Sequence, residues 1–290
     1  MTNTTTTPID TATLGTTPVQ PKGFASKPSK TEARLAELKK ADTPAFIGYL
    51  PYGFPNPAAS LDAFRTLVDS GVDIVEIGLP YSDPVMDGPV IQEACLAALR
   101  AGEKIAGVFD AVETVANAGA VPLVMGYWNL IFHYGVLRFA RDFANAGGAG
   151  LVTADLIPDE AGEWIEASDR YGLDRVFLVS PETTDERLRL VASNTRGFVY
   201  ASARMGVTGE RAQLDQTPER LVERTRKAGA TNVCVGIGVS TPEQGATIGK
   251  YADGVIVGSA LVHSVLDDPT FGKLATVASG LADGIHGARR

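Results

Sequence analysis

The chain has 290 residues, with 34 acidic side chains against 26 lysines and arginines and a formal net charge of −8 at pH 7. It has no basic stripe to neutralise phosphates, which argues against a nucleic-acid partner. No apolar run approaches the roughly 18 residues that cross a bilayer, and the N-terminus has no basic start followed by an apolar segment. We therefore expect neither a secreted nor a membrane-bound protein.

The cysteines and histidines give no sign of a metal site. Cys95 and Cys234 are far apart in sequence without a CxxC spacing, so the simple expectation is a pair of thiols in the reducing cytoplasm. His133, His263 and His286 lack the spacing of metal ligands, and no metal is expected.

The N-terminal segment differs in composition from the rest of the chain. Residues 1–28 are rich in threonine and proline and poor in large apolar side chains, so burial cannot offset the entropy of ordering them. We predict a flexible tail over 1–28 and one globular domain over 29–290. The domain begins with a helix in "SKTEARLAELKKA", where Ser29 and Glu32 have the spacing of a capping box.

Eight short apolar runs follow, and helical patterns separate them. Each run is nearly continuous in hydrophobicity, which is typical of a strand buried on both faces. Such alternation predicts a single α/β domain, a (β/α)8 TIM barrel with an extra N-terminal helix; a doubly wound open sheet is the structural alternative. The runs are AFIGYL, VDIVEIG, VPLVMGY, GAGLVTAD, RVFLVS, GFVYAS, NVCVGIG and DGVIVGS.

Acidic residues lie at the end of the second run and in the loop after it, where a barrel places its chemistry. Glu76 near the end of VDIVEIG would have a raised pKa if buried without a partner, and would then exchange protons near neutrality. The structural alternative is an ion pair with lysine or arginine. Asp87 precedes Gly-Pro, where aspartate also serves as a turn or cap residue. Asp83 precedes Pro84 and is predicted to shape the loop.

Glycine-bearing turns follow the seventh and eighth runs, each at the start of a helical pattern. Glycine lets the backbone approach a ligand, and the free N–H groups of a helix N-terminus attract an anion. Barrels frequently bind phosphate between these two loops. No lysine or arginine accompanies the turns, so backbone donors would hold the anion. The turn residues are Gly236, Gly238, Ser240, Thr241, Gly258 and Ser259.

A long loop follows the sixth run, in "ASARMGVTGERAQLDQTPE". Loops of this length in a compact fold are usually functional. Gly206 and Gly209 provide flexible points, and Arg204 and Thr208 are candidates for a lid that closes over the site. The alternative is an ordinary surface loop.

Several of these segments together resemble the α subunit of tryptophan synthase over roughly residues 28–268: "VEIGLPYSDPVMDGPVIQ", "GYLPYGFP", "GYWNLIFHYG", "ADLIPDEA", "RMGVTG", "GIGVS" and "ADGVIVGSALV". The resemblance implies retro-aldol cleavage of indole-3-glycerol phosphate to indole and glyceraldehyde 3-phosphate in tryptophan biosynthesis. It implies a lyase that passes indole to a β subunit in an α2β2 tetramer. The subunit itself would need no cofactor, since pyridoxal phosphate belongs to the β partner.

The resemblance also implies roles for individual residues. Glu76 would transfer the protons, and Asp87 would accept a hydrogen bond from the indole N–H. Thr208 belongs to the lid that closes toward Asp87. The other implied substrate contacts are Tyr49 and Ile237 in the indole pocket, Tyr200 at the end of the sixth run, and the backbone at Gly209, Gly236, Gly238, Gly258 and Ser259.

Two segments depart from the commoner family patterns, "GYLPYGFP" and "MGYWNLIFHYG". The second lies where the family contacts its β subunit, so the departure bears on partner affinity more than on chemistry. Two other functions therefore stay open. One is a free-standing indole-3-glycerol phosphate lyase, and the other is a non-catalytic barrel that activates a partner, against which the retained acids Glu76 and Asp87 argue.

Overall fold

The computed structural model describes residues 29–202 and 218–289. Short buried strands alternate with helices throughout these ranges. The strands are β1 Ala45–Pro51, β2 Ile74–Gly78, β3 Val121–Gly126, β4 Gly150–Thr153, β5 Asp174–Val176, β6 Leu178–Val179, β7 Val199–Ser202, β8 Val233–Gly236 and β9 Gly254–Val257. The helices are α1 Lys30–Lys40, α2 Pro57–Asp69, α3 Pro89–Arg100, the 3-10 turn η1 Ile105–Gly107, α4 Val108–Ala118, α5 Trp128–Tyr134, α6 Val136–Asn145, α7 Gly162–Tyr171, α8 Asp185–Asn194, α9 Pro218–Lys227, α10 Pro242–Gly249, α11 Ser259–Asp267 and α12 Gly272–His286.

The strands form one parallel sheet in the order β5-β4-β3-β2-β1-β9-β8-β7-β6. The outer strands β5 and β6 are consecutive pieces of the predicted fifth run, separated by Phe177. β5 pairs with β4 and β6 pairs with β7, so one stretch of chain joins both ends of the sheet. The predicted closed α/β barrel is confirmed, with its fifth strand split in two.

Helix α1 lies across the N-terminal end of the barrel. Ser29 Oγ accepts a hydrogen bond from Glu32 N at 2.9 Å, as the predicted cap requires. The Glu32 carboxylate accepts from Gly197 N at 3.1 Å, so it binds the segment before β7 and does not form the reciprocal half of the predicted capping box. Leu35 and Leu38 of α1 pack against the bottom of the barrel interior. The extra N-terminal helix thus closes the end opposite the predicted site.

Asp73, immediately before β2, ties three elements together at this end. Its buried carboxylate accepts hydrogen bonds from Phe46 N at 2.7 Å, Arg34 at 2.8 Å and, from the end of α12, His286 Nε2 at 2.9 Å. Burial raises the pKa of Asp73, but the hydrogen bonds from His286, Phe46 and Arg34 outweigh it and leave the pKa lowered. The polar residue at the start of the second run is therefore structural.

The predicted tail, residues 1–28, lies outside the described residues, and so does the long loop, residues 203–217. Within the part of the chain that the structure describes, no helix has the length and apolar character needed to cross a membrane. The same residues contain no cluster of three or more His, Cys, Asp or Glu side chains arranged to hold a metal ion.

Candidate active site

Glu76 points into the barrel mouth, and the strand period explains why. Side chains two residues apart on a strand share a face, and Ile74, two positions earlier, packs in the interior cluster with Leu35 and Leu38 at the bottom of the barrel. The intervening Val75 packs in the layer between strands and helices. Glu76 therefore occupies the next layer up inside the barrel, toward the carboxyl ends of the strands.

The carboxyl group of Glu76 is 0 % exposed, and neither oxygen has a hydrogen-bond partner among the described residues. The ion pair that would have made it structural is not formed within those ranges. Burial alone raises its pKa from 4.5 to about 8. Glu76 is thus mostly protonated at neutral pH, and its pKa is close enough to 7 for its carboxylate to act also as a base.

Two tyrosines flank Glu76 inside the mouth. Tyr49 on β1 is directly opposite Glu76 in the strand register, and its hydroxyl lies over Gly78, where a Cβ would be 2.3 Å from the Tyr49 oxygen. Tyr200 on β7 lies over Gly236 in the same way, at 2.4 Å. Glycine at these two strand ends is required because any side chain would displace a tyrosine ring.

The charges of Glu76 and Asp87 both influence the pKa values of Tyr49 and Tyr200, which indicates that the two acids belong to one site. Burial is the largest cause of the strongly raised pKa of Tyr49, followed by Cys95 and by the charges of Asp87 and Glu76. For Tyr200 the causes are burial, then the charge of Glu76, with Asp87 contributing as well. Both hydroxyls therefore keep their protons at neutral pH, and both lie within electrostatic range of the same two carboxyl groups.

Asp87 lies on a loop that other residues brace. Tyr127 Oη accepts hydrogen bonds from Val85 N and Met86 N, each at 3.0 Å. Gln92 Nε2 donates to the Asp87 carbonyl oxygen at 2.8 Å. The half-buried Asp87 carboxyl has a raised pKa because burial outweighs a hydrogen bond from Tyr127. The hydrogen bonds at Val85 N, Met86 N and the Asp87 carbonyl use backbone atoms of the loop, and among the bracing side chains Tyr127 also interacts with the Asp87 carboxyl group.

Asp83 differs from Asp87 although both lie in the same loop. Its side chain is exposed and accepts a hydrogen bond from the neighbouring Ser82 hydroxyl at 2.6 Å. Such a contact is typical of a turn, and it agrees with the loop-shaping role predicted for this residue.

The two predicted anion-binding turns are not equivalent. At the start of α10, Thr241 and Gln244 form a full capping box. Gln244 Oε1 also accepts from Ser240 N at 2.8 Å. The backbone donors at Ser240 and Thr241 are thus used within the protein. Gly238 before them is exposed, with a φ of +82° and nothing within 4 Å of a Cβ position, so its side of the turn is open to a ligand.

The start of α11 keeps its donors available. Gly258 is the N-cap and makes no side-chain cap hydrogen bond, and Ser259 at the first helical position is exposed. A Cβ at Gly258 would be 3.4 Å from Tyr49 Cδ1 and 3.6 Å from Ile91 Cδ1. The uncapped helix end therefore opens directly beside Tyr49, which is opposite Glu76 in the strand register, and its dipole favours an anion there.

The family profile described as "Tryptophan synthase alpha chain" matches residues 35–279. This chain belongs to the tryptophan synthase alpha chain family. It is accordingly a lyase of tryptophan synthesis, as the resemblance at the strand ends predicted.

Individual relatives in the tryptophan synthase alpha chain family are close. The chain is 70% identical to the tryptophan synthase alpha chain of Bifidobacterium longum over 279 residues, covering 93% of this chain and 96% of the relative. The protein of the same name from Thermobifida fusca is 49% identical over 264 residues, covering 89% and 98%. Similarity on this scale extends over nearly the whole of each relative.

Solved structures of the family have the same fold. The aminoacrylate-bound form of tryptophan synthase from M. tuberculosis superposes with a TM-score of 0.82 at 44% identity, covering 89% of this chain and 100% of that one. The tryptophan synthase alpha chain of Legionella pneumophila subsp. pneumophila gives 0.77 at 29% identity, covering 90% and 97%. The barrel inferred from the apolar runs is therefore the fold of the family.

Among the site residues that the family resemblance implied, the described ones gather at one end of the barrel. Ile237 is buried, at 8 % exposed, in the turn between Gly236 and Gly238. Thr208 and Gly209, and the lid candidates Arg204 and Gly206, lie outside the described residues. Tyr127 and Gln92, which hold the loop of Asp87, were not identified from the sequence. Tyr127 lies 41 and 42 residues from its partners in the loop, and no local pattern signals contacts over such a separation.

Proposed function

We propose that this chain cleaves indole-3-glycerol phosphate to indole and glyceraldehyde 3-phosphate, with Glu76 as general acid and then general base. The observation that supports this most strongly is the fully buried Glu76 carboxyl group in the barrel mouth, with both oxygens unpartnered among the described residues. A carboxyl group in such a setting keeps its proton at neutral pH and has no protein partner to compete with substrate.

The reaction needs one proton delivered and one removed. Glu76 protonates indole C3, and the ring becomes a cationic indolenine. The glycerol hydroxyl on the adjacent chain carbon then gives its proton to the Glu76 carboxylate, and the carbon–carbon bond breaks as the aldehyde forms. The bond's electron pair returns to the ring and restores neutral indole, while Glu76 regains its proton. A pKa of about 8 suits both directions of transfer.

Asp87 stabilises the cation on the indole ring. Its carboxylate accepts a hydrogen bond from the indole N–H, and this bond strengthens when the ring becomes positive. Support comes from the braced loop, which leaves the side-chain oxygens free of the backbone contacts, and from the influence of the Asp87 charge on both Tyr49 and Tyr200.

The remaining contacts divide between the ring and the phosphate. Tyr49, Tyr200 and Ile237 form the walls around the indole. The start of α11, at Gly258 and Ser259, holds the phosphate through backbone donors, because its helix end is uncapped. By the family resemblance, Gly236, Gly238 and the lid residues Thr208 and Gly209 complete the enclosure.

A substitution at Gly258 tests the phosphate assignment. Gly258→Asp should raise KM by about 10²-fold, because it adds a negative charge and a side chain where the phosphate is held. Steady-state kinetics with indole-3-glycerol phosphate measure this. Gly162→Asp, at the exposed first position of α7 with nothing within 4 Å of its Cβ position, controls for the added charge elsewhere on the barrel. An unchanged KM for Gly258→Asp would mean that the phosphate binds elsewhere.

An exposed apolar patch supports a β-subunit partner. Large side chains are exposed after three successive strands, in the loops or short helix that follow β2, β3 and β4; they are Val85 (84 %), Met86 (49 %), Phe132 (57 %) and Ile157 (46 %). Large apolar side chains exposed together at one end of a domain are typical of interaction surfaces. The patch lies at the same end of the barrel as Glu76, so a β subunit bound there would receive indole directly.

The assembly proposed is an α2β2 heterotetramer in the cytoplasm. Pyridoxal phosphate would belong to the β subunit, in keeping with the aminoacrylate of the M. tuberculosis enzyme. The reaction proposed for this chain delivers one proton and removes one proton. Its own carboxyl groups are sufficient for both transfers.

A polar substitution in the patch tests the docking surface. Phe132→Asp should weaken binding of the β subunit by about 10- to 100-fold, because it places a charge in an apolar contact. Isothermal titration calorimetry measures the affinity, and circular dichroism checks the fold. Leu137→Asp is the matched control, since Leu137 is 47 % exposed on α6 outside the patch. Equal affinity for parent and Phe132→Asp would rule out this surface.

The assay that tests the proposed function measures indole released from indole-3-glycerol phosphate by the full chain, alone and with a β subunit. The proposal predicts slow release by the chain alone and marked stimulation by the β subunit. Full activity without the β subunit would favour the free-standing lyase. Complete absence of indole in both arms would leave only the non-catalytic barrel.

A further inference from the structure

A second cavity, of about 480 Å³, lies beside the acid site but outside it. Its walls come from the segment after β2, from the end of α3 with η1, and from α5 and α6. Its volume falls in the range of small-molecule sites. Neither Glu76 nor Asp87 lines it, so it is not part of the proposed catalytic pocket.

One wall of the cavity is a fixed aromatic ring. The Tyr134 hydroxyl donates to Asp142 Oδ2 at 2.9 Å. Phe109 packs edge-on against the ring with centroids 5.7 Å apart, and the Arg138 guanidinium lies 4.4 Å from the ring centroid. These contacts hold the ring in place before any ligand arrives. The facing surface is aliphatic, from Leu79, Leu99, Ile105 and Leu130, so the space suits a flat apolar group.

The rim of the cavity carries two incompletely neutralised cations. The Lys104 side chain is exposed and makes no ion pair or hydrogen bond within the described residues. Arg138 is 3.8 Å from Asp142, and that carboxylate already accepts hydrogen bonds from Tyr134 and Arg141, each at 2.9 Å. A negatively charged ligand would therefore gain two partners.

An acidic side chain limits the charge that such a ligand can have. Glu103 also lines the cavity, and after burial its negative charge is the next cause of the raised pKa of Tyr52. Lys104 and Arg138 with the neighbouring Arg141, against the carboxylates of Glu103 and Asp142, leave an excess of about one positive charge. This excess favours a monoanion over a doubly charged phosphate, which would meet repulsion from Glu103.

We propose that this cavity binds a small aromatic monocarboxylate. The aromatic part lies between the Tyr134 ring and the aliphatic surface, where it gains stacking and burial. The carboxylate lies at the rim between Lys104 and Arg138, and the planar guanidinium matches its two oxygens. The site stands independently of the catalytic proposal, because none of its contacts uses the acid pair.

The test is calorimetric titration of the full chain with 1-naphthoate, and with 1-naphthamide as the neutral isostere. The parent should bind naphthoate more tightly than naphthamide. Lys104→Gln and Arg138→Gln should each weaken naphthoate binding by about three- to tenfold. Lys104→Gln should leave naphthamide unchanged, and Arg138→Gln should weaken naphthamide less than naphthoate, since it also removes a contact that holds the Tyr134 ring. Arg141→Gln is the matched control, since Arg141 shares the helix and the Asp142 partner but does not line the cavity.

Two further variants locate the bound probe. Ala106→Trp, at an exposed position on the cavity wall, should block both probes without disturbing the core. Gly258→Asp, in the catalytic pocket, should leave naphthoate binding intact. The proposal is overturned if the parent shows no saturable binding, if both charge variants bind like the parent, or if only Gly258→Asp abolishes binding.

Discussion

Replacing Glu76 with glutamine is expected to abolish indole release, with kcat falling at least about 10³-fold. Glutamine matches glutamate in size, so the fully buried position remains filled. An amide can neither deliver a proton to indole C3 nor accept one from the glycerol hydroxyl. Steady-state and single-turnover assays with indole-3-glycerol phosphate measure the loss.

The control for this variant is Asp83→Asn in the loop that follows the same strand. Asp83 is exposed and bonded to Ser82, and its replacement should leave turnover within about twofold of the parent. Near-normal turnover by Glu76→Gln would refute the role assigned to Glu76, whatever else the barrel does.

The same substitution should also change how stability depends on pH. Burial raises the Glu76 pKa from 4.5 to about 8 in the folded chain. The stabilising contribution of protonated Glu76 is therefore fully present below the unfolded-state pKa. It is lost as pH rises through the folded-state pKa, because the unfolded chain releases this proton at a lower pH than the folded chain. Relative to Glu76→Gln, the parent's free energy of unfolding should fall by about 1.4 kcal/mol per pH unit from about pH 5 to about pH 8. Urea unfolding of both proteins across this range measures the difference.

Replacing Asp87 with asparagine is expected to lower kcat by about 10²-fold while KM changes little. The amide keeps the shape of the side chain but not the charge that stabilises the cationic ring, and that charge matters only when C3 has been protonated. The braces from Tyr127 and Gln92 bind backbone atoms at Val85, Met86 and Asp87. The loop should therefore keep its conformation in the variant.

Kinetics separate this electrostatic role from a role in loop structure. If Asp87 only shaped the loop, Asp87→Asn would retain most of the parent's kcat, and Gln92→Ala would lower it more because it removes a brace. We predict instead that Asp87→Asn loses more kcat than Gln92→Ala. Asp83→Asn again serves as the control for charge removal in this loop.

Much of the barrel could be predicted because its signals are local. The apolar runs form the strands. Glycines occupy the two strand ends over which the Tyr49 and Tyr200 rings pack, and Gly258 is the N-cap of α11. The sequence could not show that the fifth run splits at Phe177, since RVFLVS is as continuous as the other runs. Nor could it show which way Glu76 points, because both faces of β2 are apolar. The side of the strand became clear only from the packing of Ile74 at the bottom of the barrel.

The less predictable features depend on contacts between distant parts of the chain. Tyr127 braces the Asp87 loop from 41 and 42 residues away, and no local pattern marks that pairing. The two phosphate turns looked alike in sequence, with glycines before each helix. They differ because Gln244 caps α10 and occupies donors there, whereas α11 has no side-chain cap. Whether a turn keeps free backbone donors therefore depends on contacts between particular residues and not on the types of residue in the turn.

The pH dependence of kcat/KM for indole-3-glycerol phosphate cleavage tests the central claim most directly, because kcat/KM reports ionisations of the free enzyme. Glu76 must carry its proton to begin the reaction, and its pKa in the free chain is about 8. The account predicts a kcat/KM that is sustained below this value and falls tenfold per unit above it through one ionisation. A profile that stays level well above pH 8, or that falls with the ordinary carboxyl pKa near 4.5, would contradict a buried, protonated Glu76 as the catalytic acid.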